Sequence, residues 1–194
     1  DQQGAPLGGK SLPVTVVEEQ ARAVRAAKGC VLDRRGRAWV ANRPYFPIGF
    51  YMGGIQRAEL DDLAGGPFNC LMPYGSPGLR FDGSSKQGVE AAREVLDACD
   101  QYGMKVIFGL SGAYDGPGDY VAEGLGVRTG VEITRTAVRE FRDHPAILAW
   151  YLNDEQPQDY MPRLEAHQQW IQDLDPGHPT WVVLWQVGEV QHYV

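Results

Sequence analysis

The stretch Ala146–Glu155 (AILAWYLNDE) decides the fold. Seven apolar residues run without a break and then give way to Asn153, Asp154 and Glu155. A run this short and this continuously apolar is expected of a strand buried on both faces. Four further runs share its character: Pro47–Tyr51 (PIGFY), Phe68–Pro73 (FNCLMP), Lys105–Leu110 (KVIFGL) and Thr180–Trp185 (TWVVLW).

Helical spacing fills the intervals between these runs. Val89, Ala92, Leu96 and Cys99 recur at helical positions, with Ser84 or Ser85 as the expected cap and Tyr102-Gly103 as the stop. Ile133, Ala137 and Phe141 follow i, i+4, i+8 and halt at His144-Pro145. Met161, Leu164, Ile171 and Leu174 mark a third helix, with Asp159 as the expected N-cap and Pro162 in the first turn. A shorter helix fits Arg57–Leu63. Strict alternation of strand and helix implies a parallel sheet with right-handed crossovers. Met52-Gly53-Gly54 does not match the dinucleotide-binding glycine pattern, and no phosphate-binding GxxxxGK[ST] loop occurs. The expected fold is therefore α/β: a partial TIM-type (β/α) barrel of about five strand–helix units.

Ahead of the barrel, Cys30–Trp39 (CVLDRRGRAW) reads as a hairpin about an Asp33-Arg34-Arg35-Gly36 turn, and Asn42-Arg43-Pro44 as a second tight turn. Leu12–Glu18 (LPVTVVE) reads as a strand, and Asp1–Lys10 as a flexible, glycine-rich tail. The expected organisation is a tail at 1–10, a β-hairpin appendage at 11–41 and the partial barrel at 42–194.

Composition narrows the function. The chain has 194 residues, 25 acidic against 18 basic, for a net charge of -7. That balance disfavours nucleic acid as a partner, because tracking phosphates needs a basic face. No apolar run reaches the ~18–20 residues of a membrane helix. Cys30, Cys70 and Cys99 lie far apart, and His144, His167, His178 and His192 form no HxH or HExxH pair. Neither a metal nor another cofactor is expected. The chain has no initiator Met and no visible signal peptide, which is compatible with processing or with a piece of a longer protein, and with an extracellular or periplasmic setting.

In α/β barrels the working residues sit at the carboxyl ends of strands. Here those ends carry Tyr51, Tyr74, Tyr114, the Asn153-Asp154-Glu155 cluster and Trp185. Aromatic faces beside hydrogen-bonding groups suit a sugar, whose ring has an apolar C–H face and a rim of hydroxyls. Side chains alternate along a strand, so Asn153 and Glu155 should share a side, with Asp154 opposite unless the strand end bulges. A glutamate at an apolar barrel mouth would have its pKa raised by desolvation, as a general acid near neutral pH needs.

The segment Phe141–Glu155 (FRDHPAILAWYLNDE) resembles the fourth-strand region of retaining glycoside hydrolases with (β/α)8 barrels. Asn42–Gly49 (NRPYFPIG), Phe68–Leu71 (FNCL) and the run from Leu96-Asp97 to Tyr102–Val106 resemble the approaches to strands one, two and three of that superfamily. The resemblance covers roughly Ala41 to Val194. It implies hydrolysis of O-glycosidic bonds in an oligosaccharide or polysaccharide, with Glu155 as the acid/base and Asn153, Asp154, Tyr51, Tyr74, Tyr114 and Trp185 shaping the pocket. The chain departs from the pattern in placing Asp154 where Asn is usual and in separating Glu155 from Pro157 by Gln156.

A retaining mechanism needs a second carboxylate about 5–5.5 Å away. In the superfamily it stands on strand seven, which this reading does not reach. Three expectations follow from a barrel cut short after its fifth strand. The chain is a fragment of a larger hydrolase, a half-barrel that closes by self-association through its open edges, or a non-catalytic carbohydrate-binding or scaffolding module. Metal-dependent barrel hydrolases are disfavoured by the scattered histidines.

Overall fold

The computed structural model of the chain describes residues 29–111, 125–127 and 129–184. Three strands come first: β1 (Cys30–Leu32), β2 (Ala38–Val40) and β3 (Arg43–Tyr45). They form an antiparallel sheet in the order β1-β2-β3. Asp33 builds the first turn: its carboxylate accepts from the backbone N–H of Arg35 and Arg37, from the Arg37 guanidinium and from the Trp39 indole. Ala41 and Asn42 both take positive φ, of 48° and 60°, and reverse the chain in two residues. This pair is the second turn, so Arg43-Pro44 enters a third strand rather than forming the turn itself. Pro44 fits because, among the described residues, β3 has a paired neighbour on one side only.

The rest of the described chain alternates strictly. β4 (Gly49–Met52), α1 (Arg57–Ala64), β5 (Cys70–Pro73), α2 (Gly88–Gln101), β6 (Lys105–Gly109), α3 (Gly130–Phe141), β7 (Ile147–Asp154), α4 (Met161–Leu174) and β8 (Thr180–Val183) follow in order. The five strands β4 to β8 pair in parallel, in sequence order, as one sheet. The fold is α/β, a partial TIM-type barrel of five strands preceded by a small β appendage.

The expected helix faces are the buried ones. Ala92, Leu96 and Cys99 of α2, Ile133, Ala137 and Phe141 of α3, and Leu164 and Ile171 of α4 pack on Leu71, Val106, Phe108, Trp150 and Leu152. This is the outer, helix-covered face. Two expected caps differ. Gln87 precedes α2, while Ser84 accepts from Lys86 N–H and donates to Glu94 Oε2 at 2.9 Å, so its hydroxyl is spent on the loop. Asp159 sits within a short 3-10 turn, Gln158–Tyr160, and α4 begins after Tyr160 with Pro162 in its first turn.

A second, smaller cluster lines the inner face: Cys70, Ile107, Leu148, Ala149 and Tyr151. The appendage closes its lower end, with Cys30, Ala38, Val40 and Tyr45 packed against it. Asn69 is the joint. Its side chain accepts from Ile48 N–H at 2.8 Å and donates to the Phe46 carbonyl at 3.0 Å, while its own carbonyl accepts the Tyr45 hydroxyl at 2.5 Å. Burial pushes the Cys30 thiol up to about 11, and Cys70 and Cys99 up to about 12, so all three act as small apolar groups at neutral pH.

Burial on both faces holds only for the middle of the sheet. The edge strands β4 and β8 are largely exposed, Phe50, Tyr51, Trp181 and Val182 among them, because each has a paired neighbour on one side only among the described residues. β4 docks through Gly49: a Cβ there would lie 1.5 Å from the Cys70 carbonyl oxygen, so only glycine permits this approach.

Candidate functional site

The carboxyl ends of β4, β5 and β7 bring together Tyr51, Tyr74, Tyr151, Asp154 and Glu155. Tyr74 lies just past β5, where its N–H donates to the Met52 carbonyl at 2.7 Å. The loop it begins is pinned to the sheet by the buried Ser76, whose hydroxyl donates to the Pro73 carbonyl and accepts Gly109 N–H, each at 2.7 Å. Gly109 permits this contact, since a Cβ would lie 2.9 Å from the Pro73 carbonyl oxygen. The Tyr74 ring then stands edge-on to Tyr51, with centroids 5.7 Å apart. Tyr51 stands edge-on to Tyr151 in turn, at 6.3 Å.

The two adjacent carboxylates take different positions. β7 carries two irregularities that the alternation rule does not foresee. Its register on β6 jumps from Val106↔Ile147 to Ile107↔Ala149, so Leu148 and Ala149 both join the inner cluster. Its register on β8 jumps from Tyr151↔Trp181 to Asn153↔Val182, leaving Leu152 as an extra residue. The strand end therefore bulges, and strict alternation fails there. Asp154 reaches Tyr51, whose hydroxyl donates to its Oδ2 at 3.2 Å. Glu155 follows with φ of 56°, donates its N–H to the Val183 carbonyl at 3.1 Å, and leaves its side chain exposed. The apolar surroundings expected of Glu155 are thus not provided by the described residues.

Tyr151 is the site residue that sequence reasoning misses. It is fully buried, and its hydroxyl interacts with Asp154 and with the Tyr51 hydroxyl. Burial drives its phenol far above the usual tyrosine value, and Asp154 and Tyr51 push the same way. Burial above all holds the Tyr51 phenol up at about 12; the hydrogen bond with Tyr151 opposes it, and the Asp154 charge and the hydrogen bond to it add to the rise. Both are therefore neutral donors at physiological pH. The available signal is chemical: a tyrosine inside an otherwise aliphatic and tryptophan run carries a polar tip that a buried strand does not need.

Below this rim, a cavity of about 230 Å³ opens on the inner face between Tyr51, Met72, Ile107 and Trp181. Tyr114 and Trp185 lie outside the described residues, as does the Asn153 side chain; the Asn153 backbone belongs to β7. Among the described residues, no three His, Cys, Asp or Glu side chains cluster as metal ligands would, and no helix is long and apolar enough to cross a membrane.

No protein-family model and no curated protein sequence matches the chain. Solved structures do resemble it. A glycosyl hydrolase family 2 member from Bacteroides cellulosilyticus superposes with a TM-score of 0.53 at 16% identity, over 85% of this chain and 23% of that one. A glycoside hydrolase family 5 structure from Bacteroides vulgatus gives 0.55 at 13% identity, over 82% of this chain and 40% of that one. At such identities the likeness is one of fold, and the chain spans well under half the length of either structure.

Proposed function

We propose that the chain is the strand-one-to-five portion of a glycoside hydrolase-type barrel that acts on O-glycosidic bonds of a carbohydrate. One observation carries this reading. The Asp154-Glu155 pair ends a parallel barrel strand beside the rings of Tyr51, Tyr74 and Tyr151, in a fold shared with family 2 and family 5 glycoside hydrolases. Aromatic edges would flank the sugar ring and the carboxylates would meet its hydroxyls and the glycosidic oxygen.

In this reading Glu155 is the general acid/base. Its exposed side chain is free to reach a leaving-group oxygen at the mouth. It would protonate that oxygen and then take a proton from water in the second step of a retaining reaction. Asn153, Asp154, Tyr51, Tyr74, Tyr114 and Trp185 would hold the sugar. No nucleophile is assigned to these 194 residues, so turnover is expected once further barrel units supply one.

The test is a screen of chromogenic glycosides with poor leaving groups, with the chain alone and with the complete barrel of which it would form part. Glu155→Gln should lower hydrolysis by about 10²–10⁴-fold, and unchanged hydrolysis would sink the assignment. The exposure of Glu155 favours one second reading, a non-catalytic carbohydrate-binding or scaffolding half-barrel. That reading predicts sugar binding without hydrolysis, unaltered in Glu155→Gln.

A further inference from the structure

At the lower end of the sheet, away from the mouth, a buried histidine is satisfied on one side only. The turn between α4 and β8 carries Asp175 and His178, whose side chains are almost wholly buried. His178 Nδ1 stands 2.7 Å from Asp175 Oδ2, and the same oxygen accepts the Trp150 indole at 2.8 Å. The bonds to His178, Trp150 and Gly177 hold Asp175 ionised at neutral pH. A carboxylate only accepts, so the imidazole proton lies on Nδ1. Nε2 is left as a bare lone pair, buried and without a hydrogen-bond partner.

What faces Nε2 is the entry to the appendage. A Cβ on Gly29 would lie 3.1 Å from Nε2 and 2.5 Å from the Gly177 carbonyl oxygen, so only a hydrogen fits there. The next residue, Cys30, opens β1 and packs in the inner cluster with Cys70. Among the described residues, the imidazole is faced by the Asp175 carboxylate at the end of α4, the Trp150 ring of β7 and the Gly29 backbone. Arg142, at the end of α3, donates to the Leu174 carbonyl and pairs with Asp143. Of the groups against the ring, Asp175 alone is ionised.

We propose that His178 is a proton-operated latch for the appendage: neutral, it seats Gly29 and the start of β1, and protonated, it displaces them. Protonation adds a hydrogen to Nε2, beside the Gly29 backbone, where no acceptor stands. A buried donor without an acceptor is costly. With Gly29 unseated, the same N–H reaches water, and the imidazolium keeps its carboxylate partner. Proton uptake and unseating therefore favour each other. Histidine is the side chain that changes charge between about pH 5 and 8. Acid thus opens the lower end of the barrel while Asp175 stays ionised. None of this depends on the carbohydrate reading.

Thiol labelling of the 194-residue chain tests the latch. Cys30 lies behind the seat, whereas Cys99 lies in the outer core and reports global unfolding. Each is labelled with 4,4′-dithiodipyridine, mapped by mass spectrometry, and its rate divided by that of N-acetylcysteine at the same pH. Between about pH 7.5 and about pH 5.5 the Cys30 rate should rise about tenfold, the effect of one linked proton over one pH unit, while the Cys99 rate stays level. His178→Asn keeps an N–H for Asp175 and removes the titrating ring, so its Cys30 profile should be flat. A flat profile in the wild type, a parallel rise at Cys99, or the same rise in a folded His178→Asn overturns the latch. Should His178→Asn expose Cys99 at every pH, Gly29→Ala decides. Its methyl group fills the seat, so Cys30 should label at neutral pH about tenfold faster than in the wild type, with Cys99 still protected. Wild-type protection of Cys30 in Gly29→Ala overturns the proposal.

Discussion

The two faces of the barrel sheet are built on different terms. Over the three central strands the outer face meets helices, and its side chains (Leu71, Val106, Phe108, Trp150) are sealed. The inner face meets the appendage at its lower end only, and toward the mouth it presents tyrosines, a carboxylate and an open cavity. One face is specified by packing and the other by chemistry. The lesson is that the same five strands carry stability on one side and recognition on the other, so substitutions should separate cleanly by face.

The sharpest attempt to break the comparison is Phe108→Ala on the outer face, where the ring packs against Phe141 and Trp150. It should cost about 3–5 kcal/mol in urea unfolding, and a loss below about 1 kcal/mol would mean that the outer face is not the main core. Next is Asp175→Ala. This buried carboxylate accepts the Trp150 indole at 2.8 Å, His178 Nδ1 at 2.7 Å and Gly177 N–H at 3.0 Å. Its removal should cost about 3 kcal/mol.

The pH dependence at Asp175 has a definite sign. Burial alone would raise its pKa, yet the hydrogen bonds from His178, Trp150 and Gly177 hold it below the ordinary value. A carboxyl depressed in the folded state stabilises the fold above its unfolded pKa of about 4, and that contribution fades as pH falls through the folded value. Thermal melts should therefore show the gap between wild type and Asp175→Ala narrowing below about pH 4.

Smaller effects belong to the seams and the rim. Gly49→Ala forces a methyl into the Cys70 carbonyl and should cost about 1–3 kcal/mol, with β4 separating from β5 first in hydrogen exchange. Phe46, 77% exposed, should tolerate serine within about 0.5 kcal/mol while lowering the binding of a hydrophobic dye. A large loss of stability there would show that the open side is covered in solution.

Much of the outer face is legible in the sequence. Helical periodicity at Ile133, Ala137 and Phe141, and apolar runs of strand length, report burial directly, and burial is what holds that face together. The inner face is less legible because it depends on geometry between strands. The bulges at Leu148 and Leu152 leave no mark in hydropathy, since both residues are as apolar as their neighbours. Tyr151 is hidden inside a run that reads as core, and the third appendage strand is hidden by Pro44. The exposure of β4 and β8 reflects where strands fall in the sheet rather than what they contain. The carboxylate pair itself stands out in the sequence, but which carboxylate turns toward Tyr51 does not.

Glu155 sits in the left-handed region at φ 56°. Any residue with a Cβ is held there at about 1–2 kcal/mol relative to the common backbone wells, and glycine would relieve it. Selection for stability alone would therefore drift this position toward glycine. A glutamate kept there makes position 155 a place where natural variation can distinguish the two roles of the barrel: descendants that keep a carboxylate carry the strain, and those that abandon the chemistry are free to lose it.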